Sequence, residues 1–138
     1  MGLILDSTIF IRAERQGETV RQMLAYVSHI LAEDQEIGVS VITLMELAHG
    51  VVRADSRERQ EPRVRFVADV ESAVPIYPVT HSIAIRAGFV DGRLTSKGIR
   101  VALSDLLIGA TALELGYAVA TSNQRHFNMI PDLKVFVL

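Results

Sequence analysis

Cysteine is absent from the 138 residues. That absence removes disulfide scaffolds, zinc fingers, iron–sulfur clusters and cysteine nucleophiles together, so any metal must be held by oxygen or imidazole. An excess of charge of one sign is also lacking. The 14 basic and 16 acidic side chains leave a formal charge of -2 and a pI near 6.1. Such a balance argues against a polycation that grips nucleic acid by bulk charge, although it leaves room for a local basic face. Long apolar runs are missing too. The longest stretch without Asp, Glu, Lys or Arg runs from Ser72 to Ile85 and contains Pro75 and Pro78. It falls short of the roughly 18 apolar residues that a membrane span needs. The segment Met1–Asp6 has no basic leader and soon meets a carboxylate, so no secretory signal and a soluble, cytoplasmic protein are expected. Neither G-x-G-x-x-G nor G-x-x-x-x-G-K-[ST] occurs, which leaves nucleotide-cradling loops unsupported.

What is present is an ordinary globular composition, 49% hydrophobic and 22% charged, over a length that suits one domain, residues 1–138. Short β-like runs alternate with helical ones. Leu3–Leu5, Ile37–Val41, Ile76–Val79, Tyr117–Ala120 and Val135–Val137 read as strands. Val20, Met23, Leu24, Val27 and Leu31 repeat at helical spacing, as do Leu44, Leu47, Ala48, Val51 and Val52. Further helices are expected over Val64–Ala73, Ser82–Leu94 and Asp105–Leu115, the last opened by Ser104 as its cap and stopped by Gly116. That last helix is apolar on nearly every face and belongs in the interior. The alternation predicts an α/β sandwich around a mainly parallel sheet of four or five short strands, whose ligands collect at the carboxyl ends of the strands.

Asp6 follows the first strand without a gap, Asp105 opens the buried helix, and Thr121-Ser122-Asn123 leaves the fourth strand. A parallel sheet brings Asp6, Asp105 and Asn123 to one edge, and Glu46 joins them if the helix after the second strand starts there. Three carboxylates in one cleft repel unless a cation neutralises them. Oxygen-only ligation points to Mg²⁺ or Mn²⁺, and a metal-activated water attacking a phosphodiester is the reaction that suits it. Each residue also has an ordinary structural explanation. Asp6 is a turn residue or helix cap, Asp105 a first-turn acid, Glu46 a solvated side chain and Asn123 a loop residue. Their joint placement is what carries weight.

Leu5-Asp6-Ser7-Thr8-Ile9-Phe10-Ile11 and Ser40-Val41-Ile42-Thr43-Leu44-Met45-Glu46-Leu47-Ala48-His49-Gly50 resemble the opening half of a PIN domain. Ser104–Ala112, then Ala120-Thr121-Ser122-Asn123-Gln124-Arg125-His126-Phe127, resemble its second half. The order and spacing are those of VapC-type toxins of type II toxin–antitoxin systems, over essentially the whole chain. The resemblance implies a three-layer α/β/α PIN-like fold and a Mg²⁺- or Mn²⁺-dependent endoribonuclease. It also implies an antitoxin partner and a homodimer that enters a higher assembly with that antitoxin. It places Asp6, Glu46 and Asp105 at the family's acidic metal-site positions. Asn123 falls where many members carry a fourth acid, which leaves three formal negative charges in the site. Thr121 matches a position beside the metal and is placed to orient water or phosphate.

Arg86, Arg93, Lys97 and Arg100 face only Asp91 in the segment leading to Asp105, and Arg125 sits just beyond Asn123. Arg100 and Arg125 are the candidates for a phosphate-positioning rim; the ordinary reading of each arginine is a solvated helix face. Arg53–Arg65 reads as balanced polar surface. His29, His49, His81 and His126 have no metal-ligand spacing, and His126 reads as a surface residue near the site. A receiver-type phosphoacceptor would need an aspartate ending the third strand, where Val79 leads into Thr80-His81, and a late lysine that Ala120–Asn123 lacks. A haloacid-dehalogenase-like phosphatase would need a second aspartate where Thr8 stands. The remaining alternative to a nuclease is a catalytically silent PIN module that binds RNA or a protein partner, with Asn123 as its support.

Overall fold

A computed structural model describes residues 2–31 and 35–138. Met1, where the leader reading begins, lies outside them. Five strands form one fully parallel sheet: β1 (Leu3–Leu5), β2 (Ile37–Ser40), β3 (Ile76–Tyr77), β4 (Ala118–Thr121) and β5 (Val135–Val137), in the spatial order β3-β2-β1-β4-β5. Parallel neighbours require crossovers; six helices among the described residues supply those from β1 to β4, and a loop with the 3-10 turn Phe127–Met129 makes the last, from β4 to β5. The helices are α1 (Ser7–Arg15), α2 (Val20–Ile30), α3 (Val41–Val52), α4 (Arg57–Ala73), α5 (His81–Ser96) and α6 (Leu103–Leu115).

Alternation along the central strands divides the core between two faces. Leu3 and Leu5 of β1, with Ala118 and Ala120 of β4, pack against Ile9, Phe10 and Ala13 of α1, Met23 and Val27 of α2, and Phe66 and Val70 of α4. Ile4 and Val119 point the other way, onto Ile108 and Ala112 of α6 with Phe127 and Ile130. The expected three-layer α/β/α arrangement follows. The central strands β1 and β4 are buried throughout, whereas β3 and β5 are partly exposed edges. Pro78 directly after β3 suits that edge.

Several expected boundaries move. A helix not expected from the sequence, α1, follows Asp6 and turns Ile9, Phe10 and Ala13 of its nine residues, with Ser7, into the core. Helix α4 begins at Arg57 rather than Val64 and runs through Pro62. Its first turns face solvent and so carry no apolar spacing. Ser56 caps them by accepting from the Arg59 amide at 3.2 Å. Ser104 does not cap α6; the cap is Ala102, with no side-chain bond, and Ser104 lies inside the first turn beside Asp105. Gly116 ends α6 at φ 69°, a left-handed conformation that glycine adopts without cost and that turns the chain straight into β4.

The strand order reverses direction between β1 and β4, which makes their carboxyl ends the switch point of the sheet. At the opposite end, the Tyr77 and Tyr117 rings meet edge to face at 6.2 Å and close over Gly2 and Gly38.

Candidate active site

Register places the first two groups. Leu5 pairs with Ala120, and the Asp6 amide donates to the Ala120 carbonyl at 2.9 Å, so Asp6 and Thr121 leave adjacent strands side by side. Asp6 is 3% exposed and Thr121 is fully buried. A buried carboxylate needs donors. Oδ2 of Asp6 accepts from the Thr8 hydroxyl at 2.8 Å and from the Thr121 hydroxyl at 2.9 Å.

Glu46 arrives from β2. Ser40 ends that strand and caps α3, its hydroxyl accepting from the Ile42 amide at 3.1 Å. Thr43, also fully buried, is within 3.4 Å of the Leu5 carbonyl, which fixes the start of α3 against the end of β1. One helical turn later Glu46 projects over the same end, and the Ser7 hydroxyl donates to its Oε1 at 3.2 Å. Asp105 comes from the first turn of α6, where the helix dipole favours a negative charge. Its Oδ2 lies 2.7 Å from His126 Nδ1.

The three acids share a pattern. Each has one carboxylate oxygen held by a side chain of this chain, while Asp6 Oδ1, Glu46 Oε2 and Asp105 Oδ1 accept nothing from the described residues. They also feel one another. Burial raises the proton affinity of Glu46 above the ordinary carboxylate range, the charge of Asp6 adds to it, and Asp105 contributes, against the Ser7 bond. Asp105 is pushed up in the same way by burial and by Asp6, against the His126 hydrogen bond. These are the marks of a cleft that holds more negative charge than it can solvate.

A hard divalent cation fits such oxygens. Among the described residues no three His, Asp or Glu side chains stand close enough to clasp one ion unaided. Bridging waters would complete the shell, the mode in which Mg²⁺ binds through one or two carboxylates.

The other candidates are less closely joined. Asn123 is brought to the site by its backbone: its amide donates to Thr121 Oγ1 at 3.0 Å. Its exposed side chain instead accepts from the Arg125 amide at 3.4 Å and reaches no acid. Arg100 and Arg125 are exposed and make no ion pair with a described residue. Three residues enter that the sequence reading did not place there. Ser7 and Thr8 follow Asp6 directly, and their hydroxyls next to a strand-ending acid were the available signal. His126, expected on the surface, is half-buried against Asp105.

The family model of the PIN domain matches residues 3–132. The chain is 29% identical to "Ribonuclease VapC" of Rickettsia bellii (strain RML369-C) over 138 residues, covering 100% of this chain and 97% of that protein. It is 30% identical to "Ribonuclease VapC10" of Mycobacterium tuberculosis (strain CDC 1551 / Oshkosh) over 132 residues, 96% of this chain and 90% of the relative. Among solved structures, VapBC2 from Rickettsia felis, bound to a DNA fragment from its promoter, superimposes with a TM-score of 0.82 at 23% identity. That match covers 100% of this chain and 99% of the other. With the acids of the resembling motifs gathered at the strand ends and relatives matched along nearly their full length, the chain belongs to the PIN domain family, among its VapC-type members.

Proposed function

We propose that this protein is a Mg²⁺- or Mn²⁺-dependent endoribonuclease, the toxin of a toxin–antitoxin pair, and that it hydrolyses RNA phosphodiesters. The observation that carries the reading is the acid trio at the β1–β4 switch point, each member with one oxygen tied down and one left over. A ribonuclease name on both full-length relatives supports the substrate class.

The chemistry a divalent cation supplies there is Lewis-acid activation of a water for in-line attack and neutralisation of charge on the phosphate. Asp6 and Asp105 hold the cation directly or through water, presenting the oxygens their hydroxyl and imidazole partners leave free. Glu46 completes the acidic shell and orients the attacking water. Thr121 keeps Asp6 in its rotamer and, through the Asn123 amide, sets the loop over which the RNA passes. Asn123 offers a neutral polar side chain to a ligand water or phosphate, and Arg100 and Arg125 meet phosphates at the rim. The same reading carries an antitoxin and a homodimer; the exposed Val41, Met45 and Val52 of α3 and Leu103 of α6 supply apolar surface for such contacts.

RNA cleavage with and without Mn²⁺, in the wild type, Asp6→Asn and Asp105→Asn, tests the proposal. Metal-dependent cutting that falls by about 100-fold or more in each variant, with 5′-phosphate and 3′-hydroxyl ends, is expected. Equal residual cutting by all three proteins would leave the silent binding module as the better reading. Ends with a 2′,3′-cyclic phosphate would replace the water by the ribose hydroxyl as nucleophile.

A further inference from the structure

We infer that His126 is a positioning residue that fixes the Asp105 carboxylate for cation binding, an inference that rests on the metal-site reading above. A carboxylate oxygen only accepts, so at 2.7 Å the ring nitrogen Nδ1 carries the proton and donates it to Asp105 Oδ2. One oxygen of Asp105 is thereby held by the protein. The other, Oδ1, accepts from no described residue and is the one presented to the cleft.

The contact is built into the fold. Phe127 follows His126 and is 1% exposed, and Ile130 is 3% exposed; both pack on α6 as part of one core with Ile108 and Ala112. They reach α6 at Gly109, one turn beyond Asp105 on the same helix face. A Cβ at Gly109 would stand 2.6 Å from Ile130 Cδ1 and 3.3 Å from Leu133 Cδ2, so any larger residue there would make these side chains shift. The segment Phe127–Met129 is a short 3-10 turn whose amide bonds run back to His126 and Phe127. With this segment packed beside Gly109, the preceding residue, His126, meets Asp105 in the first turn of α6.

The arrangement matches how the other acids are held, with one difference. Asp6 and Glu46 are steadied by hydroxyls of residues next to Asp6 in the chain or, for Thr121, on the neighbouring strand. Asp105 is steadied from a separate segment, after β4, by an imidazole. Groups that orient a ligating carboxylate contribute to metal affinity although they never touch the metal.

Mn²⁺ affinity, measured by the free-ion electron paramagnetic resonance signal in the RNA-free protein, separates this role from mere packing. Wild type, Asp105→Asn, His126→Ala and His126→Asn are compared, each checked for a cooperative melt. Asparagine places an N–H donor where Nδ1 stands, so it keeps the hydrogen bond while losing the ring. His126→Ala is expected to weaken Mn²⁺ binding about tenfold, and His126→Asn to restore most of it. Unchanged or tighter binding in His126→Ala, with Asp105→Asn impaired, overturns the inference and leaves the metal site standing. A donor variant no better than alanine overturns it as well. No Mn²⁺ binding by the wild type removes the metal reading and this inference with it.

Discussion

At the residue scale, the acids are distinguished by what they do to the fold. Burial and mutual repulsion raise the proton affinity of Glu46 and Asp105 above that of an unfolded chain. The folded state then binds more protons than the unfolded one in the window just above the ordinary carboxylate range. Stability falls as pH rises through that window and stays reduced at neutrality, opposite to a salt-bridged carboxylate. Glu46→Gln keeps an acceptor for Ser7 while removing the charge. Without metal at pH 7 it should melt higher than the wild type by about 2–5 °C, a small effect because both acids are about half-solvated. The gain should shrink as the pH is lowered into the carboxylate range, and added Mn²⁺ should raise the wild-type Tm more than the variant's. Calorimetry at several pH values, with and without Mn²⁺, checks all three; a variant that melts at or below the wild type without metal contradicts them. The acids themselves were legible from their places in the chain: Asp6 closes an apolar run, Asp105 opens one, and Glu46 interrupts the apolar residues of α3. The hydroxyl and imidazole partners were not legible, since a hydrogen bond between residues 21 or 39 positions apart leaves no local pattern.

At the element scale, the legible parts were those that bury a face. Strands β1 and β4 read as unbroken apolar runs because they are covered on both sides. Burial along the middle of α6, at Leu106, Ile108 and Gly109–Ala112, likewise made it recognisable as interior, although Leu103 at its start is exposed. Exposed turns carry no such signal, and the start of α4 was missed for that reason. The 3-10 turn after β4 was missed because three residues are too few for a period. Yet that turn is what joins α6 to the far loop, and Gly109 is its contact point. Gly109→Val would drive two branched carbons into Ile130 and Leu133. The cost should be about 1–3 kcal/mol, the range for overpacking a well-filled core, measured by urea denaturation. Mn²⁺ affinity should fall with it, by an amount similar to His126→Ala, because the turn can no longer seat. A variant that loses stability but keeps full Mn²⁺ affinity would uncouple the turn from the metal site.

At the scale of the whole molecule, the formal charge of -2 is divided between functions. Three acids stand at the cleft floor, where a bound divalent cation would cancel a charge of that size. On the proposed function, exposed arginines beside the site would then meet phosphates with less opposition from the acids. The overall field of such a protein is weak, so the proposed affinity for RNA would depend on a few local contacts rather than on bulk attraction. Under the proposed function, Arg100 and Arg125, both exposed and without acidic partners among the described residues, would be such contacts. Each neutralised phosphate on a single strand contributes a slope of about -0.7 to the dependence of log affinity on log salt. Arg100→Ala and Arg125→Ala should therefore each raise KM by about two- to fivefold at moderate salt and make the salt dependence shallower by roughly that slope. The kcat should stay near the wild-type value, because neither guanidinium pairs with Asp6, Glu46 or Asp105. Steady-state cleavage of a single-stranded RNA across a salt series separates the two terms. A fall in kcat at unchanged KM would instead place the arginine among the groups that act on the reacting phosphate.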